Sequence, residues 1–202
     1  MPNIASTSKT SEAINREAWL QAATRLLALR VFTPAGFAVP QVQVSVGFAS
    51  GGLRSRAIGQ CWSKSGAKDG LNHIFISPSL GDAYEALDTL THELIHAVDD
   101  CKHKHGKEFK SIALAIGMKG PMRSASAGPV LKPLLENILT SLPPYPHAKL
   151  SVSHKVTVST PPPKARCAVC GYRVTIPKRF IDFGPPICPK DKQEMEPLGH
   201  WG

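Results

Sequence analysis

A chain of 202 residues has room for one well-cored domain and a small annex, since single cores are built in units of about 100–150 residues. With 42% hydrophobic and 19% charged residues, and no apolar run near the roughly 20 residues of a membrane helix, the composition argues against a bilayer-spanning chain. A formal net charge of +9 draws polyanions, nucleic acid foremost, without naming one.

The first 19 residues show neither a basic n-region nor an apolar h-region, so no secretory signal is read and the expected location is cytoplasmic. Ser11 reads as an N-cap. From Glu12 to about Arg30, Ile14, Ala18, Ala22, Leu26 and Leu29 recur at helical steps, and Pro34 and Gly36 close the segment. Val42, Val44, Val46 and Phe48 then alternate with polar neighbours as in a half-buried strand, followed by a turn at Ser50-Gly51-Gly52. Two further runs, Ala57 to Trp62 and Asn72 to Ser77, are separated by turn-rich residues and read as the rest of a three-stranded antiparallel meander.

Pro78 ends the last strand, and a long helix is expected from Gly81-Asp82 to Cys101, burying Leu87, Leu90, Leu94 and Val98 against the sheet. Phe109, Ile112, Ala113 and Ile116 mark a shorter helix ending near Gly117, and 121–128 reads as a loop. A final helix spans Val130 to Leu142 with Pro133 in its first turn, where the missing N–H does no harm. These elements predict an α+β main domain over 11–146. A linker over 147–164 follows, with Val152, Val156 and Val158 allowing one strand before the stiff Pro161-Pro162-Pro163, and a small basic module occupies 165–202.

The chemistry is concentrated in Thr91-His92-Glu93-Leu94-Ile95-His96, an H-E-x-x-H segment inside the long helix. At 3.6 residues per turn, His92 and His96 leave the same face and can reach one tetrahedral ion at about 2.0–2.1 Å. Glu93, rotated by about 100°, stands beside the open coordination position as a general base. Zinc suits imidazole nitrogens; it would bring a water's pKa toward about 7 and polarise an amide carbonyl, while Glu93 carries the proton to the leaving amine. A third ligand is needed, and the candidates are His103, His105 and Glu108. The metzincin spacing is excluded, because Asp99 and Lys102 stand where its glycine and third histidine belong. Gly106 can turn the chain into the following helix, which favours His105. Asp99 and Asp100 are candidate acceptors for imidazole N–H groups.

His92-Glu93-Leu94-Ile95-His96, then His105-Gly106-Lys107-Glu108-Phe109, then a C-terminal CxxC resemble the SprT-like (Spartan-related) zinc metallopeptidases over roughly residues 15–200. The resemblance implies a zincin-like fold, His92, His96 and His105 as zinc ligands, Glu93 as general base, and proteolysis of proteins attached to DNA.

Of five cysteines, Cys167 and Cys170 have zinc-knuckle spacing, with Gly171 beside them. Cys188 would open a second knuckle, but Asp191 stands where a fourth cysteine is expected, so Asp191 and His200 are the candidates for fourth ligand of a structural zinc, the alternative being a degenerate ribbon without metal. Arg166, Arg173, Lys178 and Arg179, with Tyr172 and Phe180, form a candidate surface for single-stranded or distorted DNA. Cys61, Cys101 and Trp62 read as packing residues. The sequence thus predicts a zincin-like metallopeptidase with a zinc-ribbon-like module. Its rivals are a non-catalytic nucleic-acid-binding accessory protein, which has no use for Glu93, and a hydrolase of non-protein amides.

Overall fold

The computed structural model describes residues 14–52, 55–151, 162–199 and 201. The chain divides into two compact units, residues 1–154 and 155–202. Both are mixtures of short strands with helical segments, an α+β arrangement.

In the first unit, helix α1 spans Arg16–Leu27 and continues as π-helical turns over Ala28–Phe32. Its N-cap is Asn15, whose Oδ1 accepts the Ala18 N–H at 2.8 Å, and the expected cap Ser11 lies outside the described residues. Trp19, Leu20, Ala23 and Leu27 form its buried stripe. Trp19 has no exposed surface; its indole N–H reaches the Pro143 carbonyl at 2.8 Å and its ring meets Tyr145 at 4.7 Å.

The sheet differs from the expected antiparallel meander. Strands β1 (Val42–Val46), β2 (Gly59–Trp62) and β3 (Asn72–Ile76) lie in the order β1-β3-β2, with β1 parallel and β2 antiparallel to β3. Alternation tells which face a strand buries and is silent about its neighbour. β3 takes the centre, burying Asn72, Ile74 and Ile76 on one face, and the long connection between β1 and β2 carries the chain past the space that β3 fills.

Helix α2 (Ala83–Val98) begins at the cap Asp82, whose carboxylate accepts the Glu85 N–H at 2.9 Å. It packs against the sheet and against α1 and a later helix, α4 (Leu131–Thr140), which explains why nearly every side chain from Ala86 to Ala97 is buried. The helix stops at Val98 and does not run to Cys101. Asp100 and Cys101 take positive φ of 51° and 57°, and the Cys101 N–H turns back to the His96 carbonyl at 2.8 Å. This turn is fastened to the sheet: Asp100 Oδ1 accepts from the Lys64 amide at 3.0 Å and from Asn72 Nδ2 at 3.1 Å.

Helix α3 (Lys107–Ala115) buries Phe109, Ile112 and Ala113. The stretch 121–128, read as a loop, contributes β5 (Ser126–Ala127) to a small ladder with β4 (Met118–Lys119), and α4 follows with Pro133 in its first turn. Residues 147–150, expected in the linker, are tied to the first unit, since His147 Nε2 and the Leu150 amide both donate to the Pro78 carbonyl, at 2.8 and 2.9 Å. Val152, Val156 and Val158 lie outside the described residues.

The second unit has a three-stranded antiparallel sheet, β6 (Lys164–Arg166) flanked by β7 (Arg173–Thr175) and β8 (Glu196–Leu198). Its core is Ala165, Cys167, Cys188 and Met195 with Val174 and Trp201 against them. No helix among the described residues is long and apolar enough to cross a membrane.

Trp19→Ala removes a fully buried ring and its hydrogen bond, and should destabilise the first unit by about 3–5 kcal/mol, read as a lower denaturant midpoint at unchanged slope.

Candidate metal centre

His92 and His96 sit one turn apart on α2, and the turn after Cys101 carries His105 back to them. His105 Nε2 lies 3.2 Å from His92 Nε2 and 3.2 Å from His96 Nε2. Two nitrogens held by one tetrahedral ion at about 2.0–2.1 Å stand about 3.3 Å apart, so this donor set fits such an ion. The tautomer also fits. A carbonyl can only accept, so His92 donates from Nδ1 to the Ala125 oxygen at 3.3 Å and keeps the Nε2 lone pair inward. Burial pushes His92 down to about 4 and His96 down to about 3, and lowers His105; neighbouring imidazoles add to the first two shifts and Arg123 to the third. All three rings are therefore neutral ligands near pH 7. Beneath them lies Phe109 of α3, fully buried, with its centroid 5.0, 4.5 and 5.0 Å from those of His92, His96 and His105.

The other third-ligand candidates lie elsewhere. His103 is turned to Asp99, which accepts from its Nδ1 at 2.6 Å and from its amide at 2.8 Å. Glu108 is exposed in the first turn of α3 and is not part of the three-imidazole group. Asp99 and Asp100, read as acceptors for the imidazoles of the group, serve His103 and the sheet instead. The acceptor that holds His92 is a backbone carbonyl, which no side-chain pattern advertises. Asp88, one turn before His92, supports it by accepting the Ala127 N–H at 2.9 Å and fastening β5 in place.

Glu93 is buried, and burial pushes its carboxyl up to about 8, with the Cys101 thiol adding to the shift and the Cys61 amide opposing it. Gly59 of β2 makes room for it: a Cβ there would stand 2.5 Å from Glu93 Oε1 and 2.7 Å from Thr89 Cγ2. The three histidines and Glu93 open on a cleft of about 820 Å³, bounded by β2 on one side and by the 123–126 segment on the other. Cys61 and Cys101, read as packing residues, line this cleft. Trp62, also read as packing, is 44% exposed and lines a groove on the opposite face of the sheet with Phe48 and Phe75.

In the second unit, Cys167, Cys170, Cys188 and Asp191 converge, each offering an atom within 4.8 Å of the others. Asp191 Oδ2 lies 3.3 Å from Cys167 Sγ and 3.6 Å from Cys188 Sγ, and the sulfurs of Cys170 and Cys188 are 3.7 Å apart. On a tetrahedral zinc with sulfurs at about 2.3 Å, sulfur–sulfur and sulfur–oxygen separations of about 3.8 and 3.5 Å are expected, so this group also fits an ion. The alternative ligand His200 lies outside the described residues. Arg166 and Arg173 are directly opposite in the β6–β7 ladder, while Arg179 stacks over Phe180 at 4.6 Å. Lys178 opens the same 3-10 segment. Tyr172, Phe180 and Phe183 are exposed beside them in sequence.

Fold and site together define an α+β protein with two groups of side chains able to hold a metal ion. A family model, the SprT-like family, matches residues 21–127, more than half of the chain, and the protein belongs to that family. The match includes all three histidines and Glu93 and ends before the second unit begins. No curated protein and no solved structure matches the chain.

Gly59→Ala should displace the Glu93 carboxylate while leaving the three imidazoles in place. The expected result is a folded protein that retains its first-unit metal and loses about 1–3 kcal/mol of stability, read by metal analysis and thermal unfolding.

Proposed function

We propose that the protein is a zinc-dependent metallopeptidase of zincin-like fold, acting on proteins associated with DNA. The observation that carries this reading is the convergence of three neutral imidazoles, with His105 Nε2 3.2 Å from both His92 Nε2 and His96 Nε2, beside a buried carboxyl group. His92, His96 and His105 would hold the ion. Bound there, zinc supplies Lewis acidity to a water and to the scissile carbonyl. The chain's own residues do the rest. The His92 Nδ1–H, fixed on the Ala125 carbonyl, keeps its ring oriented. Glu93 takes a proton on its carboxylate and returns it to the nitrogen of the leaving amine, and the raised affinity of that carboxyl for a proton suits both halves of the transfer. Membership in the SprT-like family supports the metallopeptidase reading.

The second unit supports the choice of DNA. Its core of four buried side chains is too small to hold a fold alone, and a zinc on Cys167, Cys170, Cys188 and Asp191 would staple it. Like charges placed opposite one another, as Arg166 and Arg173 are, repel unless an anion lies between them, although Glu196 on the other side of Arg166 offsets part of this. A phosphate backbone suits Arg166, Arg173, Lys178 and Arg179, and the exposed aromatic rings suit unstacked bases.

Glu93→Ala should abolish cleavage of a DNA-bound protein while zinc and DNA binding persist; a wild type that cleaves nothing, with or without single-stranded DNA, refutes the peptidase reading. Metal analysis should find about two zinc ions per chain, and Asp191→Ala should lower the count toward one. Chelation should unfold the second unit selectively, seen as new proteolytic cleavage after residue 162 while the first unit stays resistant.

A further inference from the structure

The charges around the catalytic cleft are sorted by depth. Three cationic side chains line it: Arg56 just before β2, Lys104 just before His105, and Arg123 in the segment that precedes β5. All three are exposed, and none forms an ion pair among the described residues, where the four pairs present are His73–Asp69, Lys102–Asp100, His103–Asp99 and Lys132–Glu136. The cleft's two carboxyl groups lie deeper. Glu93 is buried against Gly59, and Asp88 is occupied by the Ala127 N–H. A peptide entering the cleft therefore meets a rim of one sign before it reaches the imidazoles.

The segments that carry two of these cations also shape the metal group. Arg123 stands two residues before Ala125, whose carbonyl accepts from His92, and it lines the same cleft as His105. Lys104 is held at a φ of 49°, a left-handed conformation that a glycine or asparagine would adopt at less cost. That turn is needed to bring His105 to the other two histidines, and it is a lysine that occupies it.

Resting on the peptidase reading above, we infer that Arg56, Lys104 and Arg123 make the cleft selective for acidic peptide segments, their carboxylates pairing with the rim on either side of the scissile bond. Unpaired cations around a concave, low-dielectric site focus the field and concentrate anionic ligands there. The same field repels lysine- and arginine-rich segments, so the rim discriminates by repulsion as well as by attraction.

The test is a binding measurement on full-length, zinc-loaded protein carrying Glu93→Gln, so that no turnover intervenes. Two short fluorescein-labelled peptides share one apolar centre, one flanked by glutamates and the other by lysines, and their Kd values are read by fluorescence anisotropy. The glutamate peptide should bind at least about tenfold more tightly at low ionic strength, and the ratio should shrink as salt is added. Arg123→Glu, and separately Arg56→Glu, should each remove most of that preference. Lys132→Glu, the same charge change on α4, should leave it intact. Equal affinities, a preference for the lysine peptide, or a Lys132→Glu effect as large as that of Arg123→Glu would overturn the inference. So would displacement of the glutamate peptide by a short oligothymidylate with matching affinity, which would assign the rim to nucleic acid. If the acidic preference holds and wild-type protein cleaves neither peptide, the peptidase reading falls and the acidic site stands.

Discussion

Burying two histidines and a glutamate in the middle of one helix costs desolvation free energy, and the packing of the first unit is organised around offsetting it. α2 is enclosed by the sheet, α1 and α4, so its buried polar groups need partners that water cannot supply. The imidazoles become neutral and converge, His92 finds a backbone carbonyl, and Phe109 fills the space beneath all three rings. Glu93 has the fewest partners, which is why its carboxyl holds a proton more tightly than an exposed one would.

Rigidity around the site comes from the connections more than from the regular elements. The turn at Asp99 to Lys104 contains three non-glycine residues with positive φ, an unfavourable stretch held by Asp100 on Lys64 and Asn72 and by Asp99 on His103. On the other flank, the Asp88 carboxylate fixes the Ala127 amide and so places the Ala125 carbonyl against His92. The sheet supplies the remaining wall, where Gly59 is the one residue of β2 that lets the strand approach Glu93 closely. The three imidazoles and Glu93 are thus supported by three separate parts of the chain.

The second unit solves a different problem. It has few apolar side chains to bury, and two of its four core residues are cysteines whose sulfurs face the same point as Asp191. A carboxylate in place of a thiolate keeps the geometry of the group while changing its chemistry, since oxygen is a harder donor and shares less charge with zinc than sulfur does.

What could be read without the fold was whatever follows from a local period. The spacing of His92 and His96, the start of α2 near Asp82, the burial of Leu87, Leu90 and Leu94 and of the core positions of α3, and Pro133 in the first turn of α4 follow from local patterns, and the structure has them as expected, with only Val98 half-buried. The place of β3 between β1 and β2, the end of α2 at Val98, and the exposure of Trp62 were not legible, because each is decided by what lies across from the residue. The same holds at the centre. His103 and His105 are equally near α2 in sequence, and only a turn held by contacts with the sheet sends one to Asp99 and the other to the metal group. Sequence by itself determined which residue types could carry the chemistry. Tertiary structure decided which of them meet, because a tetrahedral group needs donors from both sides of a turn whose shape no local rule specifies.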